Sequence, residues 1–250
     1  MNRIIAGIST VAITAALLAA APASHADTSA RLEPGVCADP TQTIADGMGG
    51  PGDVVIGTTK VKTMRLDLYT YENCPVTGAK ATVVAPRKTT RVTLRKVGTN
   101  NGYVHWQGSL AISPKSLRNS DAGTWKVNYL ADGEHLDSDS REVGVLRASR
   151  LSFNAGPEPV VNDRITYSGK LERASWNSGR YVPHANRKIE LQADFASQPE
   201  TDYLGAATTR SDGTYRMSQR YRGPGEYSAS VGYTSTTAGA VSRTDTVTTP

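Results

Sequence analysis

Past residue 26, apolar side chains recur at every second position in short segments about ten to fifteen residues apart, and no segment sustains a helical repeat. Met64, Leu66 and Leu68 alternate with Arg65, Asp67 and Tyr69, and Val92 and Leu94 alternate with Thr93 and Arg95. Val104, Trp106, Leu110 and Ile112 share one parity with Gly108 between them; Trp125, Val127 and Tyr129 follow, then Val143 and Val145. Successive side chains point to opposite faces of a pleated strand, so the pattern predicts antiparallel strands with one buried and one wet face. Asp67 and His105 fall on the wet parity.

From Arg147 the pattern restarts with Leu151 and Phe153. Gly156-Pro157-Glu158-Pro159 breaks it, because proline cannot donate to a central ladder. Ile165, Tyr167, Gly169 and Leu171 come next, then Ile189, Leu191, Ala193 and Phe195. Asp212-Gly213, set between 206–209 and 215–217, predicts a two-residue hairpin. Tyr227, Ala229, Val231 and Tyr233 mark another strand, and 241–247 the last. Each half has about 100 residues of short strands, the size of one sandwich. Gly123-x-Trp125-x-Val127-x-Tyr129 in the first half corresponds to Gly225-x-Tyr227-x-Ala229-x-Val231 in the second.

Such a chain is ordered without many large aliphatics. Leu, Ile, Val and Phe number 39 of the 224 residues after Ala26, about 17%, a share usual in disordered chains. Yet 27 basic against 23 acidic residues leave a net charge of only +4, too little self-repulsion to hold the chain open. Alternating sheet faces and aromatics must supply the core.

Residues 1–26 read as a signal peptide. Arg3 precedes an uncharged run over 4–21, and Ser24 and Ala26 supply the small residues at a cleavage site. The mature chain is expected to be secreted, extracellular and without membrane insertion after cleavage. In an oxidising compartment Cys37 and Cys74 are expected to form a disulfide, worth about 4 kcal/mol in the chain-entropy picture. The expected organisation is all-β: a Gly-rich arm over 27–52 tethered by that bond, a sandwich over 53–146, a short linker over 147–150 and a second sandwich over 151–250.

Leu110-x-Ile112, Leu117 and Asp121-Ala122-Gly123-Thr124-Trp125 resemble the E-strand, E–F turn and F-strand of an immunoglobulin-type domain. That family places tyrosine where Trp125 stands and a cysteine where Val127 stands, so no inter-sheet disulfide is implied inside the sandwich. Gly169-Lys170-Leu171-Glu172-Arg173-Ala174-x-Trp176 and Ile189-Glu190-Leu191-Gln192 are similar to β-sandwich repeats of secreted actinobacterial proteins of unknown function. The resemblance implies two tandem immunoglobulin-like sandwiches and no activity, since this architecture serves many functions.

Chemistry is sparse. His105, His135 and His184 are the histidines of the mature chain, and no serine elbow or His-Glu-x-x-His accompanies them. Asp132, Glu134, Asp137 and Asp139 put four carboxylates within eight residues, which reads as a solvated hairpin loop kept soluble by its charge, with calcium on its hard oxygens as the alternative; no cofactor is expected. Asp46 to Asp53 is glycine-rich but has no lysine and opens no helix, so it is not a phosphate loop. Residues 174–181 read as a loop in which Trp176, Tyr181 and nearby His184 either hold a ligand or plug the end of the sandwich. Arg87, Lys88, Arg91, Arg95 and Lys96, and separately Arg210, Arg216, Arg220 and Arg222, form basic stretches. They read as solubilising charge on sheet faces, or as a surface for an anionic cell-wall polymer or acidic polysaccharide; a secreted protein is the partner in the alternative in which the 132–139 or 175–184 loop is presented, and no nucleic-acid motif is present. The expectation is a non-enzymatic binding or structural module near the cell envelope, with an inhibitor or accessory of a secreted hydrolase as the alternative.

Overall fold

The computed structural model describes residues 38–42, 52–72, 76–132, 139–161, 163–195 and 200–248. Among them every regular element is a β-strand, apart from the single 3-10 turns Pro114–Ser116 and Asn119–Asp121. The alternation is realised as sheet.

The first half contains β1 (Ala38–Gln42), β2 (Val54–Ile56), β3 (Lys62–Tyr71), β4 (Gly78–Ala85), β5 (Lys88–Asn100), β6 (Tyr103–Ile112), β7 (Gly123–Asp132) and β8 (Asp139–Arg147). They pair in the order β1-β3-β6-β5-β4-β7-β8-β2. The first part of β5, 88–94, pairs with β4, and the rest, 95–100, with β6. The path therefore turns over at β5, and its two parts enclose one core. Met64, Leu66, Leu68 and Trp106 from one side meet Ala81, Val83, Val127 and Tyr129 from the other, all buried. Gly108 makes the crossover possible: a Cβ there would lie 2.6 Å from Leu94 Cδ2 and 2.9 Å from Val92 Cγ1.

The second half contains β9 (Ser149–Leu151), β10 (Asn154–Val161), β11 (Arg164–Ser175), β12 (Arg180–Pro183), β13 (Lys188–Phe195), β14 (Asp202–Thr208), β15 (Thr214–Arg220), β16 (Gly225–Val231), β17 (Ala240–Val241) and β18 (Asp245–Val247). One sheet is organised on β11, which pairs with β9, β10, β12 and β15; the other runs β14-β13-β16 with β17 and β18 on β16. Between them Ile165, Tyr167, Leu171, Ile189, Leu191 and Tyr227 form a second buried cluster.

Both prolines of 156–159 lie in β10, an edge strand whose register to β11 breaks between Gly156 and Val161, in keeping with their exclusion from a central ladder. Three local expectations are corrected. Asp212-Gly213 does form a turn, yet not a hairpin: β14 pairs with β13 and β15 with β11, so the turn passes between sheets. The single strand over 241–247 is two short strands, β17 and β18. Of the loop read over 174–181 only 176–179 form a turn, Ala174 and Ser175 ending β11 and Tyr181 standing in β12.

The two halves carry the same device at their matching glycine-led strands. Trp125 Nε1 donates to the carbonyl of Asp121 at 2.8 Å, and the Tyr227 hydroxyl donates to the carbonyl of Gly223 at 2.5 Å. Each bond reaches back four residues and fastens the turn to its strand, which is the role of the tyrosine corner in immunoglobulin-like sandwiches. In the first half the indole N–H takes the place of the phenol. With this sheet layering and these corners the chain is an all-β, immunoglobulin-like sandwich protein.

Candidate functional site

The outer face of β3, β6 and the second part of β5 carries an ordered polar array. Register sets Tyr71 opposite Tyr103, Tyr69 opposite His105, and Asp67 opposite Gln107, with Arg95 on the far side of Gln107. Asp67 sits on the face opposite the core, as alternation requires, but it is not wet: it is 0% exposed. His105 Nε2 approaches Oδ1 at 2.6 Å, Gln107 Nε2 donates to Oδ1 at 3.0 Å, and Arg65 Nε donates to it at 3.2 Å. All three reach Oδ1, while Oδ2, 3.0 Å from Arg65 Nε, is buried without a hydrogen bond among the described residues; a carboxylate removed from water costs several kcal/mol, and these charged and strong donors offset part of it.

Aromatic rings extend the array along the strands. The His105 and Tyr69 rings stack at 4.5 Å and 6°, and Tyr71 and Tyr103 meet at 5.0 Å and 38°. Beside them a groove of about 640 Å³ is lined by Thr63, Arg65, Arg95, Val97, Gln107 and Ser109 among others. The Arg65 side chain is 45% exposed and Val97 54%, so the groove offers a cation and an apolar patch to solvent. Fixed planar hydrogen-bonding groups next to ring faces can hold a hydroxyl-rich ring; the arginines add attraction for an anion. His105 is thus an outward histidine held by Asp67. The signal for this site was present as Arg65-x-Asp67 on one strand and His105-x-Gln107 on its neighbour, but the pairing register is needed to bring them together.

Trp176, Tyr181 and His184 make a junction rather than an open ligand loop. Trp176 is 5% exposed and packs into the core of the first sandwich, its Nε1 shared between the carbonyls of Ile56 at 3.2 Å and Gly57 at 3.1 Å. Its main-chain N–H donates to Asn119 Oδ1 at 2.9 Å, and the Asn119 N–H donates to Asn177 Oδ1 at 2.8 Å. The indole therefore has neither a free face nor a free donor for a ligand. Tyr181 packs against the same core, with the Arg150 guanidinium 3.6 Å from its ring centroid. His184 is 7% exposed, and burial, with Arg173, Arg187 and Arg147 behind it, pushes its imidazole down to about 4. Residues 147–150 are stitched to both halves: the Ala148 N–H donates to Ile56 O at 2.9 Å, and the Ala148 carbonyl accepts from Ala174 N–H at 2.8 Å.

Of the basic stretches, Arg87 is committed to Asp121, donating from Nε to Oδ1 at 2.7 Å and from Nη2 to Oδ2. Arg87 and the Arg118 N–H hold the Asp121 carboxyl below the ordinary carboxylate range. Arg222 pairs with Asp202 at 3.0 Å, while Arg91, Arg95 and Lys96 are exposed. In the acidic loop Asp132 is engaged by Lys80 Nζ at 3.1 Å. Glu134, Asp137 and His135 lie outside the described residues, as does the side chain of Asp139. Cys37 and Cys74 also lie outside them; the strand after Cys37 pairs with β3, Ala38 opposite Thr70.

No family model matches the chain, and no curated protein matches it. Among solved structures, dimeric latent PorU from Porphyromonas gingivalis is similar over 87% of this chain at 10% identity and a TM-score of 0.31, the match covering 21% of that chain. Three N-terminal domains of the highly immunogenic outer capsid protein of bacteriophage RB49 match over 84% of this chain and 70% of theirs, with 10% identity and a TM-score of 0.32. The D00–D0 domain of intimin matches over 79% of this chain and 96% of its own, with 14% identity and a TM-score of 0.28. Superpositions this loose carry no argument about function.

Proposed function

We propose that the chain is an exported, non-enzymatic binding module acting at or near the cell envelope, and that the outer face of β3, β6 and β5 is its contact surface for a hydroxyl-rich, anionic wall polymer. The observation that supports this most is the Asp67 array. A carboxylate with no exposed surface, outside the core, is fixed by Arg65, His105 and Gln107 beside a row of rings. Solubility alone does not call for an ordered network of that kind, whereas recognition of a sugar ring does. Arg65 and Arg95 add an attraction that depends on salt. Export rests on the signal-like residues 1–26, and with it a Cys37–Cys74 bond that mass spectrometry reads as two hydrogens gained on reduction.

Co-sedimentation with purified wall polysaccharide tests the reading. Wild-type protein is expected to pellet with the polymer and to be released by salt. Tyr69→Ala and Arg95→Ala are expected to lower the bound fraction several-fold with little change in melting temperature. Equal retention of wild type and both variants would remove this face from the account. A stoichiometric complex with one secreted hydrolase, and no pelleting, would replace it with the inhibitor reading.

A further inference from the structure

At the contact between the two halves, Arg147, Arg173 and Arg187 lie near enough to His184 to act on it, and among the described residues no carboxylate forms an ion pair with them. Arg147 ends β8 at 7% exposure and bridges to Thr237 in the turn after β16. Arg173 lies in β11 opposite Ser149 and Val182, and both it and Arg187 are partly buried. His184 follows β12, its carbonyl accepting from Thr209 Oγ1 at 2.8 Å and its N–H donating to Leu171 O at 3.1 Å. The backbone of each participant is therefore fixed by a strand, a bridge or a turn.

The side-chain polar atoms, in contrast, are not satisfied. Arg173 Nε, Arg187 Nε, His184 Nδ1 and Thr237 Oγ1 are all buried and without a hydrogen-bond partner. His184 and Thr237 are more than nine-tenths buried, at 7% and 1% exposure. The guanidinium of Arg147 makes only long contacts to Thr236, 3.5 Å to its carbonyl and 3.4 Å to its hydroxyl, and Arg187 Nη2 reaches the Gly232 carbonyl at 3.3 Å. Among the described residues, Arg65, Arg87 and Arg222 form ion pairs, and none of them belongs to this group. The charged groups acting on His184 are Arg173, Arg187 and Arg147, and the charged group acting on Arg147 is Arg173.

Buried donors left open cost about 1–3 kcal/mol each, and like charges held together in a partly dry site cost more. Two guanidinium N–H donors, beside a hydroxyl and an imidazole nitrogen that can each donate, call for a small acceptor with several oxygens and negative charge. Guanidinium groups recognise phosphate and sulfate through paired N–H donors. Arg147 and His184 are buried and Arg173 and Arg187 half-buried, which suits a small ligand rather than a large one.

We infer that Arg147, Arg173, Arg187, His184 and Thr237 form a binding site for a tetrahedral oxyanion, phosphate or sulfate, that cross-links the two sandwiches. The anion ties β8 of the first half to β11 and the turns after β12 and β16 of the second. This site is separate from the wall-facing surface, and neither depends on the other.

The test uses inorganic phosphate as probe with the full mature chain. Thermal melts at constant ionic strength, phosphate replacing chloride, are expected to show a saturable rise in Tm, as for any ligand that binds only the folded state. The double variant Arg173→Gln/Arg187→Gln, at the two half-buried arginines, is expected to lose that rise. Isothermal titration of wild-type protein with phosphate is expected to give one site per chain, and this readout stands even where the variant fails to fold. A rise no larger than chloride produces, one undiminished in the folded double variant, or a titration without saturable heat overturns the inference.

Discussion

His184 shows how a residue's neighbours decide its chemistry. A histidine in a loop after proline reads as a surface group, yet it is 7% exposed among three arginines and its imidazole is pushed down to about 4. The unfolded chain takes up a proton near pH 6.5 that the folded chain refuses until about pH 4, so this group's stabilisation is full above about pH 6.5 and is lost as pH falls towards 4. Urea midpoints at pH 7 and pH 4.5 in phosphate-free buffer are expected to fall for wild type and to fall less for His184→Gln; equal slopes would contradict the assignment. Asp121 acts in a lower window, because its carboxyl is held below the ordinary 3.8. Sequence reveals His184 only as one of three histidines, since its burial depends on how β11, the segment at Thr209 and the arginines of both halves pack around it. Trp176 differs: large, aromatic and beside a predicted strand end, it carries a visible signal for a plug. The sandwich it plugs is the one preceding it, and alternation has no means of saying so.

At the scale of elements, alternation identifies strands well and partners poorly. Each strand with a clear period of two is present, and the shared glycine-plus-aromatic pattern of 123–129 and 225–231 corresponds to a shared corner bond. Asp212-Gly213 has the right turn chemistry: Asp212 Oδ1 accepts from the Thr214 N–H at 2.9 Å, and Gly213 has φ +80°. What local chemistry cannot supply is the choice of neighbour, set by which faces of β14 and β15 bury against β13 and β11. Gly213 is needed twice over, because a Cβ would also lie 2.5 Å from the Leu171 carbonyl, whose own N–H donates to Gly213 O at 2.9 Å. Gly213→Ala is therefore expected to lose about 2–3 kcal/mol, more than a simple left-handed turn position costs. Chemical denaturation reads it, and a loss under about 0.5 kcal/mol would show that the crossing is not tight. Asp67 was hidden for a related reason: parity gives the face, while burial on that face comes from long side chains of the neighbouring strand.

For the whole molecule, the junction makes one body of two cores. Trp176 from the second half completes the first core, Ala148 hydrogen-bonds to both, and Asn119 exchanges bonds with Trp176 and Asn177. Rigidity matters to the proposed role, because a surface held at fixed orientation binds a polymer without the entropic cost of ordering a hinge. Removing the indole leaves a large cavity and takes the donor from the Gly57 carbonyl, while Ile56 O keeps the Ala148 N–H, a loss of about 3–5 kcal/mol placed at the contact between halves. Differential scanning calorimetry of the mature chain, with Trp176→Ala beside it, tests this most directly. Wild type is expected to unfold in one transition whose calorimetric and van't Hoff enthalpies agree, and the variant to split into two at lower temperature. Two separate transitions in wild type, or a variant that melts as wild type does, would contradict the account.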